Sequence, residues 1–241
     1  MNILVTGATG GIGSALCEEL HAQGHRLFIT ARHDEMLSKK SEQWNAPYQV
    51  CDVTDVKSVE NLFATVANTF ESLDGVAHCV GSILLKPAHI TKPLEWEEAV
   101  LQNLTSSFWV LRSATKLMQK TGGCIVLTAS AAGQIGLPNH DAIGARKAGV
   151  IGLTKSAAAT YAKKGVRINC VAPGMVDTPL SEKILKNDAA RQASENMHPL
   201  GRIGQPADVA SAMAWLLCDQ QSWLTGQVLG VDGGLSAMKM A

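Results

Sequence analysis

The sequence predicts an α/β fold built on a doubly wound parallel sheet of about seven strands, with helices on both faces. The first observation is a series of short apolar runs rich in β-branched residues, at 2–6, 26–30, 48–51, 75–80, 124–129, 167–172 and 227–231. Their nearly continuous apolarity indicates strands buried on both faces, as in a parallel sheet. The second observation is the helix-length stretches between these runs, which give the βαβα alternation of a Rossmann-type fold.

Three helices carry signals at their ends. The first helix is expected to end near Gly24, since glycine is typical of helix C-termini. The helix that follows Asp55 has an N-cap residue before it, and the helix opening at Pro206 has a residue suited to a first turn. Because no linker, repeat or low-complexity tract interrupts the chain, the sequence predicts one domain over residues 1–241.

Composition favours a compact protein and limits its partners. Of 241 residues, 46% are apolar and 17% are charged, which argues against disorder. The net charge is zero, and Lys and Arg are scattered, so neither nucleic acid nor a membrane surface is an expected partner. The chain opens without the basic region of a signal peptide and contains no membrane-length apolar run. These features lead us to expect a soluble, cytoplasmic protein.

Cysteine and histidine spacing predicts no metal centre and no disulfide framework. Six cysteines stand apart, none in a CxxC pair, and are interpreted as small core side chains in a reducing compartment. His21 and His25 have the i, i+4 spacing of a metal pair, but no carboxylate partner is evident, so they are interpreted as surface residues.

A glycine-rich loop, "TGATGGIG" (6–13), follows the first strand and opens the first helix. Gly7 permits a tight turn, while Gly11 and Gly13 allow the backbone to approach a pyrophosphate at the positive helix N-terminus. The loop therefore predicts a dinucleotide site. Its predicted contact residues are Gly7, Thr9, Gly11, Ile12 and Gly13.

The end of the second strand bears on which dinucleotide is bound. An acidic residue here would hold the adenosine ribose hydroxyls, but this chain has Ala31 followed by Arg32. A guanidinium can pair with a 2′-phosphate through two hydrogen bonds, which favours NADP(H) over NAD(H). The alternative is that Arg32 is only a solvated surface charge.

Further motifs follow in a fixed order: "CDVTD" (51–55), "HCVG" (78–81), "LQNLTSSF" (101–108), "IVLTASAAG" (125–133), "VAPGMVDTP" (171–179) and "LTGQVLGVDGG" (224–234). With the glycine-rich loop, they make the whole chain resemble the short-chain dehydrogenase/reductase family. The resemblance implies further cofactor contacts at Asp52, Val53, Cys79, Gly81, Lys147, Pro173, Gly174, Val176 and Thr178. His78 and Cys79 stand where the family has two asparagines.

The resemblance also implies roles for the catalytic residues. Asn103 would hold a water in a proton relay, Ser130 would orient a substrate carbonyl, and Lys147 would bind the nicotinamide ribose. The family places a tyrosine, its general acid, four residues before the lysine. In "NHDAIGARK" (139–147) that position is Ile143.

Three hypotheses accommodate Ile143. The first is an NADP(H)-dependent reductase of a carbonyl- or imine-type small molecule. Its proton would come from His140, which shares a helix face with Ile143 and Lys147. Water held by Asn103 and Lys147 is a second possible donor. An imine substrate that is already protonated would need neither donor. The second is an NADP(H)-binding sensor, partner subunit or scaffold with little catalysis. The third is a reaction other than redox.

The resemblance further implies a homo-oligomer, either a dimer or a tetramer. Helices near 100–120 and 143–163 would form one of its interfaces.

Overall fold

Seven parallel strands form one sheet in the computed structural model, which describes residues 1–238. Their order across the sheet is β3-β2-β1-β4-β5-β6-β7. The strands are β1 (Asn2–Thr6), β2 (Arg26–Ala31), β3 (Tyr48–Val50), β4 (Gly75–His78), β5 (Gly123–Thr128), β6 (Val166–Pro173) and β7 (Val228–Val231). The predicted doubly wound, Rossmann-type fold is confirmed.

Nine α-helices connect and cover the described strands. They are α1 (Gly11–Ala22), α2 (Asp34–Trp44), α3 (Val56–Thr69), α4 (Pro93–Val100), α5 (Ser106–Met118), α6 (Asp141–Tyr161), α7 (Glu182–Leu185), α8 (Asp188–Met197) and α9 (Pro206–Leu217). The predicted signals are confirmed: Gly24 follows α1 with φ of 81°, the Asp55 carboxylate caps α3, and Pro206 begins α9.

Two apolar cores lie on opposite faces of the sheet. One packs α3, α5 and α6 against it, and the other packs α1, α2 and α9. Because β1, β4, β5 and β6 lie inside the sheet, they are buried almost throughout, as predicted. The same prediction is wrong for the two edge strands. In β3, which pairs only with β2, Tyr48 and Val50 are 37% and 41% exposed. In β7, which pairs only with β6, no residue is buried.

All six cysteines are free thiols. Cys17, Cys51, Cys124 and Cys170 are buried, so the interpretation as core side chains is confirmed for these four. It is wrong for Cys79 and Cys218, which are partly exposed. Cys79 borders the cleft described below. Within residues 1–238, no helix combines the length and apolarity needed to cross a membrane.

The sheet order creates the crevice where the site lies. Successive crossovers run from β1 to β3 in one direction, and the chain then returns to place β4 on the other side of β1. The loops at the carboxyl ends of β1 and β4 therefore diverge, and such a switch point is the usual ligand crevice of an open α/β sheet.

Candidate active site

The glycine-rich loop between β1 and α1 is held in a close-packed turn. Gly7 has φ of 73°, and a Cβ there would lie 3.0 Å from the carbonyl oxygen of Cys79. A Cβ on Gly13 would collide with the carbonyl oxygen of Gly7. Gly13 is buried and lets α1 pack onto the turn, while its approach to a pyrophosphate stays a prediction.

The N-terminus of α1 is open toward the crevice. Its N-cap is Gly10, no described side chain caps it, and its first turn contains no acidic residue. The first backbone N–H groups of a helix lack intrahelical partners and carry partial positive charge. These features fit a pyrophosphate bound at this helix end.

A continuous cleft runs along the carboxyl edge of the sheet from this loop. Its first part brings together predicted cofactor residues at the carboxyl ends of five strands, β1, β2, β3, β4 and β6: Gly7, Thr9, Gly11, Ile12, Ala31, Arg32, Asp52, Val53, Cys79, Gly81 and Thr178. Gly11 allows a close approach of the loop after β6, since a Cβ there would lie 2.6 Å from Cγ2 of Thr178.

Arg32 and His33 lie at the outer end of this part. Arg32 is exposed on the rim, and the adjacent His33 also lines the cleft. Burial raises the pKa of the Asp52 carboxyl, but hydrogen bonds from the Thr54 hydroxyl and amide, with the charge of Arg32, bring it below its usual range. Asp52 is therefore a carboxylate held by Thr54 at 2.7 and 2.9 Å. His33 and Thr54 were missed because their types are ordinary in loops.

The second part of the cleft holds the predicted catalytic residues. Those lining it are Asn103, Ser130, His140, Ile143 and Lys147, together with Pro173, Gly174 and Val176. The two parts share Ile12, Cys79, Gly81 and Thr178. Among the described residues that line the second part there is no tyrosine, aspartate or glutamate, and most of the side chains are apolar.

Lys147 lies deep in this part of the cleft. It projects from α6, is only 5% exposed, and its Nζ donates a hydrogen bond to the carbonyl oxygen of Thr128 at 2.7 Å. Burial is the main cause that lowers the pKa of the Lys147 ammonium to about 7, and the neighbouring charge of Arg146 adds to it. The side chain therefore exchanges a proton near neutral pH.

Asn103 lies in one turn of π-helix, Leu101–Thr105, that joins α4 to α5. Its Oδ1 accepts the backbone N–H of Ser82 at 3.1 Å, and its Nδ2 donates to the Ser82 hydroxyl at 2.8 Å. A Cβ on Gly81 would lie 3.0 Å from Oδ1 of Asn103 and 3.4 Å from Nζ of Lys147. The space in front of Gly81 thus touches both polar groups.

Ser130 and Ile143 face the same cleft with different chemistry. The Ser130 hydroxyl accepts the N–H of Ala132 at 3.2 Å and lies 3.4 Å from the Pro173 carbonyl oxygen. Ile143 is 8% exposed and presents only hydrocarbon. His140 occupies the N-cap position of α6, where its Nδ1 lies 2.6 Å from the Pro138 carbonyl oxygen.

Two histidines were not recognised as site residues from the sequence. His198 lines the cleft, where its Nε2 accepts the N–H of Met175 at 3.1 Å and its Nδ1 donates to the Ser194 carbonyl. A Cβ on Gly174 would collide with its ring. Nothing local in the sequence signals this contact, because His198 follows Met175 by 23 positions.

His78, the second of them, is fully buried at the end of β4, between the nucleotide loop and the π-helical turn. Its Nδ1 lies 2.8 Å from the Thr6 hydroxyl and its Nε2 lies 3.3 Å from the Ser106 hydroxyl. Since Ser106 donates to the Gln102 carbonyl, Nε2 carries the proton and Thr6 donates to Nδ1. Burial, together with the charge of Lys147, lowers the pKa of His78 to about 3, so the ring is neutral.

Within residues 1–238, no group of three or more His, Cys, Asp or Glu side chains is arranged to hold a metal ion.

Comparison with known proteins shows which family this chain belongs to. The family profile described as Enoyl-(Acyl carrier protein) reductase matches residues 7–236. A structure of a short-chain type dehydrogenase/reductase from Mycobacterium ulcerans has a TM-score of 0.94 at 29% identity, and the match covers 99% of this chain and 90% of that one. The chain belongs to the short-chain dehydrogenase/reductase family.

Other short-chain dehydrogenases/reductases match over nearly the whole chain. A 2,5-dichloro-2,5-cyclohexadiene-1,4-diol dehydrogenase of Sphingobium indicum is 35% identical, and the match covers 98% of this chain and 97% of the relative. The structure described as ElxO with NADP bound has a TM-score of 0.93 at 30% identity and covers 98% and 99% of the two chains. The first of these relatives is a dehydrogenase, and the second binds NADP, which supports an oxidoreductase family that uses a nicotinamide cofactor.

Proposed function

We propose that this protein is an NADP(H)-dependent short-chain oxidoreductase that reduces a carbonyl- or imine-type small molecule without the tyrosine acid of its family. One observation carries the proposal: the open N-terminus of α1 and the side chains of Ser130, Asn103 and Lys147 line one continuous cleft, in which Ile143 presents hydrocarbon. A reduced nicotinamide dinucleotide supplies the hydride when it is bound.

The residues of the cleft fit such a cofactor. The α1 N-terminus would hold the pyrophosphate, Asp52 and Val53 would meet the adenine end, and Lys147 would hold the nicotinamide ribose. Pro173, Gly174, Val176 and Thr178 line the second part of the cleft, where they would hold the carboxamide. Substrate would occupy the apolar region between Ile143 and His198.

Arg32 supports the preference for NADP(H). It lies on the rim at the adenine end beside His33, and it directly follows Ala31, the position at which a carboxylate would favour NAD(H). Replacing Arg32 with Ala is expected to weaken NADPH binding about 10- to 100-fold, because a charge-assisted hydrogen bond contributes about 1.5–3 kcal/mol. NADH binding should change little. Fluorescence titrations with NADPH and with NADH measure the two dissociation constants, and their ratio is compared between the variant and the unmodified protein.

Lys39→Ala is the matched control, since this exposed lysine of α2 pairs with Glu35 and does not line the cleft. It should leave both affinities unchanged. Tenfold tighter binding of NADH than NADPH by the unmodified protein would contradict the assignment of Arg32.

Ile143 supports one alternative, an NADP(H)-binding sensor, partner subunit or scaffold with little catalysis. Losing general acid catalysis costs about 10² to 10⁴ in rate, which slows carbonyl reduction without preventing hydride transfer. Single-turnover measurements separate the two functions. Tight NADPH binding without oxidation by any aldehyde, ketone, quinone or imine would favour the alternative.

We also propose a homo-oligomer, a dimer or tetramer. Large apolar side chains stand exposed along α4 and α5, including Leu94, Trp96 and Phe108 at 64%, 43% and 44%. Faces of this kind are typical of subunit interfaces. Light scattering coupled to size exclusion measures the mass, and a monomer of 25.5 kDa would contradict the proposal.

A further inference from the structure

Arg146 is a buried cation with too few partners. It precedes Lys147 on α6, is 1% exposed, and donates a single hydrogen bond, from Nη2 to the Ser82 carbonyl at 3.1 Å. Its Nε and Nη1 are buried and have no partner among the described residues. Arg167 is the opposite case, since its guanidinium donates to four carbonyl oxygens near the end of α9.

Such a group is costly for the fold. Burying a charge without a counterion is strongly unfavourable, and unmade hydrogen bonds add to the cost. Burial lowers the pKa of the Arg146 guanidinium to about 10, so it still carries its charge at neutral pH. Arg146 therefore places a permanent positive charge in a poorly solvated region directly beside Lys147.

The other groups around Lys147 do not offset this charge. On β4, His78 is neutral for the reason given above. On β6, burial raises the pKa of the Cys170 thiol, so it is neutral too. His140 and His198 line the same part of the cleft, and its described lining residues include no carboxylate. The Lys147 ammonium consequently donates a hydrogen bond to the Thr128 carbonyl oxygen, and none of the described lining residues supplies an anion that would stabilise its protonated form.

We propose that Lys147 itself delivers the proton that the tyrosine of the family would supply, and that the buried charge of Arg146, acting together with the burial of Lys147, favours this transfer. The proposal rests on the reductase function proposed above. Lys147 is then a catalytic residue, and Arg146 is a positioning residue that acts through it.

The step balances for a carbonyl substrate. The carbonyl carbon receives a hydride, with its electron pair, from the reduced nicotinamide, and the C=O π pair moves onto oxygen. That oxygen takes a proton as an N–H bond of the Lys147 ammonium breaks, directly or through one water in the space before Gly81. The products are an alcohol, the oxidised nicotinamide and a neutral amine, which regains a proton from solvent.

Geometry favours Lys147 over His140 as the donor. Lys147 Nζ is buried beside Asn103, in the space in front of Gly81 that a relay water would occupy. His140 is half-buried at the start of α6, and one of its ring nitrogens is engaged by the Pro138 carbonyl. An efficient general acid titrates near the working pH. Lys147 meets this condition from inside the cleft.

The first test needs no cofactor and no activity. In protein labelled with ¹³Cε-lysine, NMR follows the ionisation of Lys147, whose signal is assigned by its absence in Lys147→Met. We expect a midpoint near 7 in the unmodified protein. Arg146→Met, which removes the charge but keeps an apolar chain, should raise that midpoint by about one unit or more.

Arg112→Met is the matched control, since it removes a cation that pairs with Glu60 on the outer surface of α5. It should leave the Lys147 midpoint unchanged. A midpoint above about 9 in the unmodified protein, close to that of an ordinary lysine, would overturn the inference, as would equal midpoints in the unmodified protein and Arg146→Met.

The second test is the pH dependence of single-turnover NADPH oxidation. The rate should fall as pH rises through about 7 in the unmodified protein and through a correspondingly higher pH in Arg146→Met. In His140→Ala the midpoint should stay near 7. If the rate in His140→Ala no longer fell as pH rises, His140 would be the proton donor. That result would overturn the inference about Lys147 and leave the reductase function standing. Tight NADPH binding with no turnover by the unmodified protein would instead refute the reductase function.

Discussion

Ile143→Tyr is expected to raise the rate of carbonyl reduction by up to about 10⁴, the upper end of the usual contribution of a general acid, and by less to the extent that Lys147 already supplies the proton. Position 143 lies four residues before Lys147 on α6, so the new phenol and the ammonium would share one helix face. Ile143 borders an open cleft, which leaves room for the larger ring. The nearby ammonium would favour the phenolate and lower the phenol pKa from near 10. Stopped-flow oxidation of bound NADPH measures the gain.

Ile143→Phe is the control, because it introduces the aromatic ring without the hydroxyl. It distinguishes proton donation by the tyrosine from the steric effect of a larger side chain. It should not accelerate the reaction. An equal gain in Phe and Tyr variants would show that the effect is steric. No gain in the Tyr variant, with NADPH still bound, would contradict the view that Ser130, Asn103 and Lys147 remain arranged for the family reaction.

His78 should make the protein sensitive to acid. Its pKa is 6.5 in an unfolded chain and about 3 in the folded protein, so the unfolded chain binds more protons between these values. Stability is therefore fully present above about 6.5 and is lost as pH falls toward 3. At one unit of pKa per 1.36 kcal/mol, His78 alone removes up to about 3 kcal/mol by pH 4.

His78→Asn should flatten this dependence, since an amide does not titrate, although some stability at pH 7 is lost with the Thr6 and Ser106 hydrogen bonds. Urea unfolding at a series of pH values from 7 to 4 gives the free energy of unfolding of each protein. The difference in this free energy between variant and parent is followed as a function of pH. His21→Asn is the control, because His21 is exposed. Parallel curves for His78→Asn and the parent would contradict a buried neutral His78.

The sequence predicted the parts of this protein that depend on local pattern. Gly7 and Arg32 follow strands at fixed distances, and their positions at the crevice follow from where parallel strands end. Lys147 was located by the resemblance to the family, whose intervals from Ser130 and position 143 it matches. For Gly13, only the packed structure shows that α1 contacts the turn there.

Other features depend on contacts between distant segments, and no local pattern encodes them. His198 meets Met175 across 23 positions, and Arg146 reaches the Ser82 carbonyl across 64. The charged residue at 146 would be expected on a solvated face of α6, whereas packing against the loop after β4 buries it. The exposure of Tyr48 likewise follows from the order of the strands and not from their composition.

The most direct test of the account is a stopped-flow, single-turnover experiment on the protein loaded with NADPH and mixed with aldehydes, ketones, quinones and imines. Cofactor titrations establish loading beforehand. The account predicts tight NADPH binding and oxidation of the bound cofactor by at least one carbonyl or imine class, with a rate that falls as pH rises through about 7. Tight binding with no oxidation by any class would contradict it.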